Sequence, residues 1–96
     1  MLFDEQYRMV YEESLQLEEI KDEDGFPCED INALTEWVKN SFIRILKDNQ
    51  YHIKGVNISA YGASLVYLNE QLEVFLPLYN YLKPYPEELK KKFYDT

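Results

Sequence analysis

One histidine, one cysteine and eighteen aspartates and glutamates are the side chains of this 96-residue chain best suited to catalysis or metal binding. His52 has the chemistry of a general base or a metal ligand. No local motif sets a serine, cysteine or acid beside it, so it supports no nucleophilic triad and reads as a surface or hydrogen-bonded side chain. Cys28 lies among acids, and negative neighbours raise a thiol pKa and blunt its reactivity. A single cysteine also excludes an internal disulfide and a zinc cluster of Cys ligands. Asp22-Glu23-Asp24-Gly25 looks like part of a calcium loop. With Gly25 at the loop's turn, however, Ile20 and Ile31 occupy its first and last positions, where carboxylates are required. The remaining carboxylates could supply an acid–base pair, but no spacing singles two of them out. With three glycines, the chain has no phosphate loop of the G-x-x-x-x-G-K-[ST] type. One segment stays open. Ile53, Val56 and Ile58 run into Ala60-Tyr61-Gly62-Ala63-Ser64, and a strand ending in small residues can bring backbone beside a ligand. On composition alone, Gly62 there makes only a bend or bulge.

The elements that would hold such a site follow from periodicity. Tyr7, Met9, Tyr11, Leu15 and Leu17 alternate with mostly polar residues and predict a strand with one buried face, broken at Glu13. Leu2-Phe3, a polar gap and this run predict a hairpin, although no Asn-Gly or Asp-Gly fixes the turn. Residues 18–30 hold seven acids and one lysine with Gly25 and Pro27, and read as an exposed acidic loop. From Asp30, an N-cap candidate, to Asn49 the spacing predicts the clearest helix. Ile31, Leu34, Val38, Phe42, Ile45 and Leu46 form its apolar stripe, flanked by Trp37 and Ile43. A strand is predicted over Tyr51–Ser59, and a second hairpin over Leu65–Leu78. That hairpin echoes the first: Leu2 to Val10 aligns with Tyr67 to Phe75, which reads as reuse of one turn type, too short for a repeat architecture. Pro86 then opens a short helix, with Glu87 and Glu88 at its positive end and Lys90, Lys91 and Lys92 near its negative end.

Composition bounds the partners. A net charge of −8 repels phosphate backbones, so a nucleic-acid partner is not expected. No apolar run approaches the ~20 residues of a membrane span, and the first residues carry no charged-then-apolar leader. A soluble, reducing, cytoplasmic setting is the expectation. Fifteen Phe, Trp and Tyr residues argue against intrinsic disorder. The length suits one small domain or part of one.

Two stretches carry a resemblance: Ile58-Ser59-Ala60-Tyr61-Gly62-Ala63-Ser64-Leu65-Val66-Tyr67-Leu68-Asn69 and Pro77-Leu78-Tyr79-Asn80-Tyr81-Leu82-Lys83. Together with Leu2-Phe3-Asp4, Met9-Val10-Tyr11-Glu12 and the Trp37 helix, they resemble the N-terminal domain of FGGY-family carbohydrate kinases. The resemblance implies that residues 1–96 form an α/β domain, an incomplete ribonuclease-H-like fold of the actin-like ATPase and sugar-kinase kind. It would have a mixed sheet with hairpins and one long packing helix. It implies sugar contacts at Tyr61, Gly62, Ala63 and Ser64, with Tyr61 offering an aromatic face and a hydroxyl. Family members phosphorylate a sugar hydroxyl with Mg-ATP. The family's first strand and phosphate turn, its catalytic base and its adenosine site have no counterpart here. The chain is therefore expected to hold no catalytic residue, no metal site and no cofactor of its own, and to be inactive alone.

Loss of that first strand would leave two strand edges open. The expected outcome is either a sheet closed up between the two neighbours or a homodimer through strand edges. The alternative function is a small acidic protein–protein interaction domain. It would use the 18–30 segment and Tyr79, Tyr81 and Tyr85 against a basic partner.

Overall fold

The first five-residue turn of the chain sets a pattern that recurs twice. In a computed structural model, which describes every residue except Tyr61, Tyr81, Lys83 and Thr96, the Asp4 carboxylate accepts the backbone N–H groups of Gln6 and Arg8 at 2.9 and 3.0 Å. Asp22 does the same for Asp24 and Phe26 at 3.0 and 2.8 Å, and the Asn69 amide oxygen for Gln71 and Glu73 at 3.0 and 2.9 Å. The main chain closes each turn identically. Asp4 donates to the Arg8 carbonyl, Asp22 to that of Phe26 and Asn69 to that of Glu73, at 2.9–3.0 Å. An Asp or Asn side chain is required because only a short acceptor can reach the amides two and four residues on.

The fourth residue of each turn is left-handed: Tyr7 at φ 63°, Gly25 at φ 83° and Leu72 at φ 63°. This is a type I turn followed by a left-handed residue, the three-residue hairpin connection. Only Gly25 adopts it without a Cβ penalty. The left-handed region costs an L-residue about 1–2 kcal/mol, and glycine gives back roughly half of that through its greater unfolded freedom. Leu72 is 78% exposed and loses little packing on replacement. Leu72→Gly is therefore expected to stabilise the third hairpin by about 0.5–1 kcal/mol, and Gly25→Ala to destabilise the second by about 1 kcal/mol. Urea denaturation with amide exchange at the turn residues checks both signs.

The turns generate two small antiparallel sheets. β1 (Leu2–Phe3) pairs with β2 (Met9–Tyr11), with Leu2 opposite Tyr11 and Phe3 opposite Met9 across a bulge. β3 (Glu19–Lys21) pairs with β4 (Pro27–Glu29), with Ile20 opposite Cys28. The third turn joins residues through a single bridge, Leu68 to Val74, and a Phe75 N–H to Tyr67 carbonyl bond of 3.2 Å. α1 (Ile31–Lys47) starts at Asp30, whose carboxylate accepts the Ala33 N–H at 3.0 Å. It ends with Arg44 and Lys47 in the last turn, where cations complement the helix dipole. α2 (Glu87–Tyr94) follows Pro86, with acids in its first turn and lysines in its last.

Two local bodies result. In one, β4 bridges to Leu78: the Glu29 N–H donates to the Leu78 carbonyl at 2.7 Å. Cys28 and Leu78, 4% and 9% exposed, are the buried apolar residues at this joint. In the other, α1 and the β1–β2 hairpin line a common cleft and meet through the Glu13 side chain, with Trp37, Ser41 and Ile45 half-buried on α1. Apolar surface stays on view elsewhere. The total accessible area is 9181 Å², against about 5,800 Å² for a compact domain of this mass. The Cα radius of gyration is 18.1 Å, against ~12.5 Å for a compact chain of this length.

Several expectations are corrected. Among the described residues the paired strands are all antiparallel and form no mixed sheet. The strand predicted over Tyr51–Ser59 is absent: residues 51–60 carry no regular secondary structure. Gly55 and Asn57 interrupt its apolar run, and no neighbouring strand supplies the ladder bonds that hold a strand. The closed-up sheet, which needed that strand, is likewise not formed. The first long strand stops at Tyr11, because Glu13 turns toward α1 instead of continuing the ladder. The acidic segment 18–30, read as a loop, is the β3–β4 hairpin. The long helix and the short one after Pro86 lie where the spacing put them, with α1 ending two residues before Asn49.

Candidate functional site

At the bend that the sequence nominated, the described residues are exposed or half-buried. Gly62 and Ala63 form an exposed turn and Ser64 is half-buried. Tyr61 lies outside the described residues. A Cβ added at Gly62 would meet nothing within 4 Å, so no backbone or ligand wall closes on that position. His52 is exposed. Among the described residues, no three His, Cys, Asp or Glu side chains gather closely enough to hold a metal ion.

Polar groups converge instead on Glu13, the residue that breaks the apolar row of the first segment. Its carboxylate accepts the Tyr11 hydroxyl at 2.6 Å and the Ser41 hydroxyl at 3.0 Å. The Arg44 guanidinium donates to both Glu13 oxygens at 2.5 Å. Ser41 and Arg44 are three residues apart on α1, so they present neighbouring side chains to one acceptor. These donors, Tyr11 first, then Arg44 and Ser41, hold the Glu13 carboxyl at about 2 against an ordinary 4.5. The same bond raises the Tyr11 hydroxyl above its usual value. Tyr51, just beyond α1, adds a tilted ring contact to Tyr11 at 6.4 Å between centroids.

A carboxyl whose pKa is depressed on folding contributes stability that is present above its unfolded value and lost as pH falls toward its folded value. The hold of β1–β2 on α1 is therefore expected to weaken between pH 4.5 and about 2. Fluorescence of Trp37, the single tryptophan, checks this, and Glu13→Gln should flatten the acid limb of the titration.

Above this polar node lies an apolar cleft of about 210 Å³, bounded by Leu2, Trp37, Val38, Phe42 and Ile45. It opens onto an exposed row along α1. Val38, Phe42 and Leu46 follow one another at four-residue steps, so they form one ridge of the helix. Each is more than a third exposed, and Leu46 is 63% exposed. Lys39 borders the row. A larger hollow of about 580 Å³ lies against α2, among Tyr85, Leu89 and Phe93. It is bounded by one short helix and its lead-in, with Lys90 and Lys92 also in its lining.

A second polar cluster joins the β3–β4 hairpin to the residues after Leu78. The Tyr79 hydroxyl donates to Asp22 at 2.5 Å, and the Asn80 amide donates to Glu29 at 3.1 Å. Asp22 pushes the Tyr79 hydroxyl up to about 12 and is itself lowered, mainly by that bond. Burial, then the charges of Asp22, Glu29, Asp30 and Glu19, push the Cys28 thiol up. With the Asp22 carboxylate committed to Tyr79 and two backbone N–H groups, this cluster fastens the chain to itself.

The sequence reading missed both clusters. A signal existed for the first: an acid inside an apolar alternation, with a Ser and an Arg three apart on a helix face. Tyr79 was singled out, but as an interface residue, and nothing local links it to Asp22 across 57 positions. Searches of protein-family models, curated proteins and solved structures found no match to this chain. Among the described residues, no helix is long and apolar enough to cross a membrane.

Proposed function

We propose that this chain is a protein–protein interaction module that works through the open face of α1 and the cleft beside it. The observation that carries the reading is the uncovered row of Val38, Phe42 and Leu46, continuous with the cleft above Glu13. Contiguous apolar surface rimmed by polar groups marks sites where another surface docks. An aromatic anchor beside a cavity is the usual centre of such a site. The Glu13 cluster supports the role by tying α1, through Ser41 and Arg44, to the residues that follow β2. A photo-crosslinking residue placed at position 42 or 46 in cells tests the reading. Covalent adducts are expected at both positions and not at the exposed, polar position 32. Absence of adducts at 42 and 46 overturns it.

The carbohydrate-kinase reading rests on the sequence resemblance, including its incomplete ribonuclease-H-like fold and its sugar contacts at residues 61–64. No observed site adds to it. Its test is a coupled ATP assay with a sugar panel on a protein carrying this chain together with a phosphate-binding turn and a catalytic base. Turnover that falls on altering Gly62 or Ser64 would favour it over an interaction role.

A further inference from the structure

We infer that the partner for the open face of α1 is a second copy of this chain, docking its β3–β4 hairpin there, with the two copies exchanging this contact around a two-fold axis. The inference rests on the interaction reading and names the occupant. Three observations select it.

The first is charge. Besides Arg44, which Glu13 neutralises, α1 carries Lys39 and Lys47 against one acid, Glu36, whereas residues 18–30 carry seven acids against Lys21. The basic and acidic poles lie on adjacent elements of one chain. Lys39 borders the open apolar row, so a complementary partner needs acids beside its own apolar groups.

The second is the composition of the hairpin. Ile20 and Phe26 are exposed, at 42% and 45%, and the exposed tip residues Glu23 and Asp24 lie between them in sequence. Apolar side chains edged by acids match a row edged by lysine. Net charges of −8 on each copy oppose association at long range, so any pairing must come from local matching of this kind.

The third is area. The chain shows roughly 3,400 Å² more surface than a compact domain of its mass, and obligate homodimers remove about 1,000–2,500 Å² per protomer. A reciprocal contact buries the hairpin face and the α1 face of each copy together. Because the contact is isologous, it closes at two copies and does not propagate into a filament.

Light scattering coupled to size exclusion, with sedimentation equilibrium for affinity, tests this on the full chain. The wild type is expected at twice 11.5 kDa. Phe42→Glu should run as a monomer with its helix content retained by circular dichroism. Lys39→Glu and Glu23→Lys should each weaken dimerisation by at least about tenfold, since the two-fold axis removes the charge-assisted contact twice in each variant homodimer. Mixed in equal amounts, the two variants should form a heterodimer near wild-type affinity, because both exchanged contacts regain an opposite pair. Failure of the mixture to recover affinity overturns the reciprocal arrangement, as does a wild type that stays monomeric at high concentration. A monomeric wild type whose position-42 crosslinks carry a different protein would remove the second copy and leave the interaction module standing.

Discussion

Leu78→Ala is expected to open the joint between the β3–β4 hairpin and the third hairpin, at a cost of about 2–3 kcal/mol. Leu78 is one of two buried apolar side chains among the described residues, and its carbonyl accepts the 2.7 Å bond from Glu29. The cost lies at the low end for core leucines because the buried apolar cluster among the described residues is small. Cys28 reports the event directly, being the single cysteine and 4% exposed. A thiol buried in the closed state reacts only through local opening. Destabilising the joint by 2 kcal/mol should therefore speed modification by a disulfide reagent about 30-fold, taking 1.4 kcal/mol per tenfold. An unchanged rate would mean that Leu78 does not cover the thiol. Leu78→Met, which keeps the volume, should stay close to wild type.

The second large effect is expected at Trp37. Trp37→Ala should cost about 2 kcal/mol, at or below the low end for core aromatics because the ring is half-buried. The consequence reaches beyond the ring. A 17-residue helix has little independent stability, and most helical stability comes from packing one face. Loss of the ring should thus lower helix content as well as loosen the β1–β2 hairpin. Circular dichroism at 222 nm through a urea titration reads both. Trp37→Phe should recover most of the loss. Val38→Ala on the neighbouring open ridge should change little in a monomeric sample, and that contrast separates the docked side of α1 from the exposed one.

The helices were legible because their signals are local. Asp30, Pro86 and the three- and four-residue spacing each act within a turn or two, and both helices formed where those signals lay. The hairpins were legible only in part. The echo between Leu2–Val10 and Tyr67–Phe75 was visible, and the structure shows its cause in the side-chain acceptors of Asp4 and Asn69. The third instance, at Asp22, was hidden because acidity suggested a loop, whereas one of those acids makes the turn. The absent strand at 51–59 shows the limit of β-branched composition: a strand exists through its partner, and periodicity says nothing of one. The candidate site was the least legible part. Its polar node joins Glu13 to Ser41 and Arg44 across 28 and 31 positions, a relation set by the tertiary approach of two segments that no local pattern encodes.

The bridge between Glu29 and Leu78 also sets an order of events in time. The five-residue turns close locally, on a scale of microseconds, whereas Leu78, the bridge partner of the residue next to Cys28, lies fifty residues further along the chain than the thiol. A ribosome adding about 5–20 residues per second needs roughly 3–10 s to supply it. For that interval the newborn thiol lacks the neighbour that buries it in the finished fold.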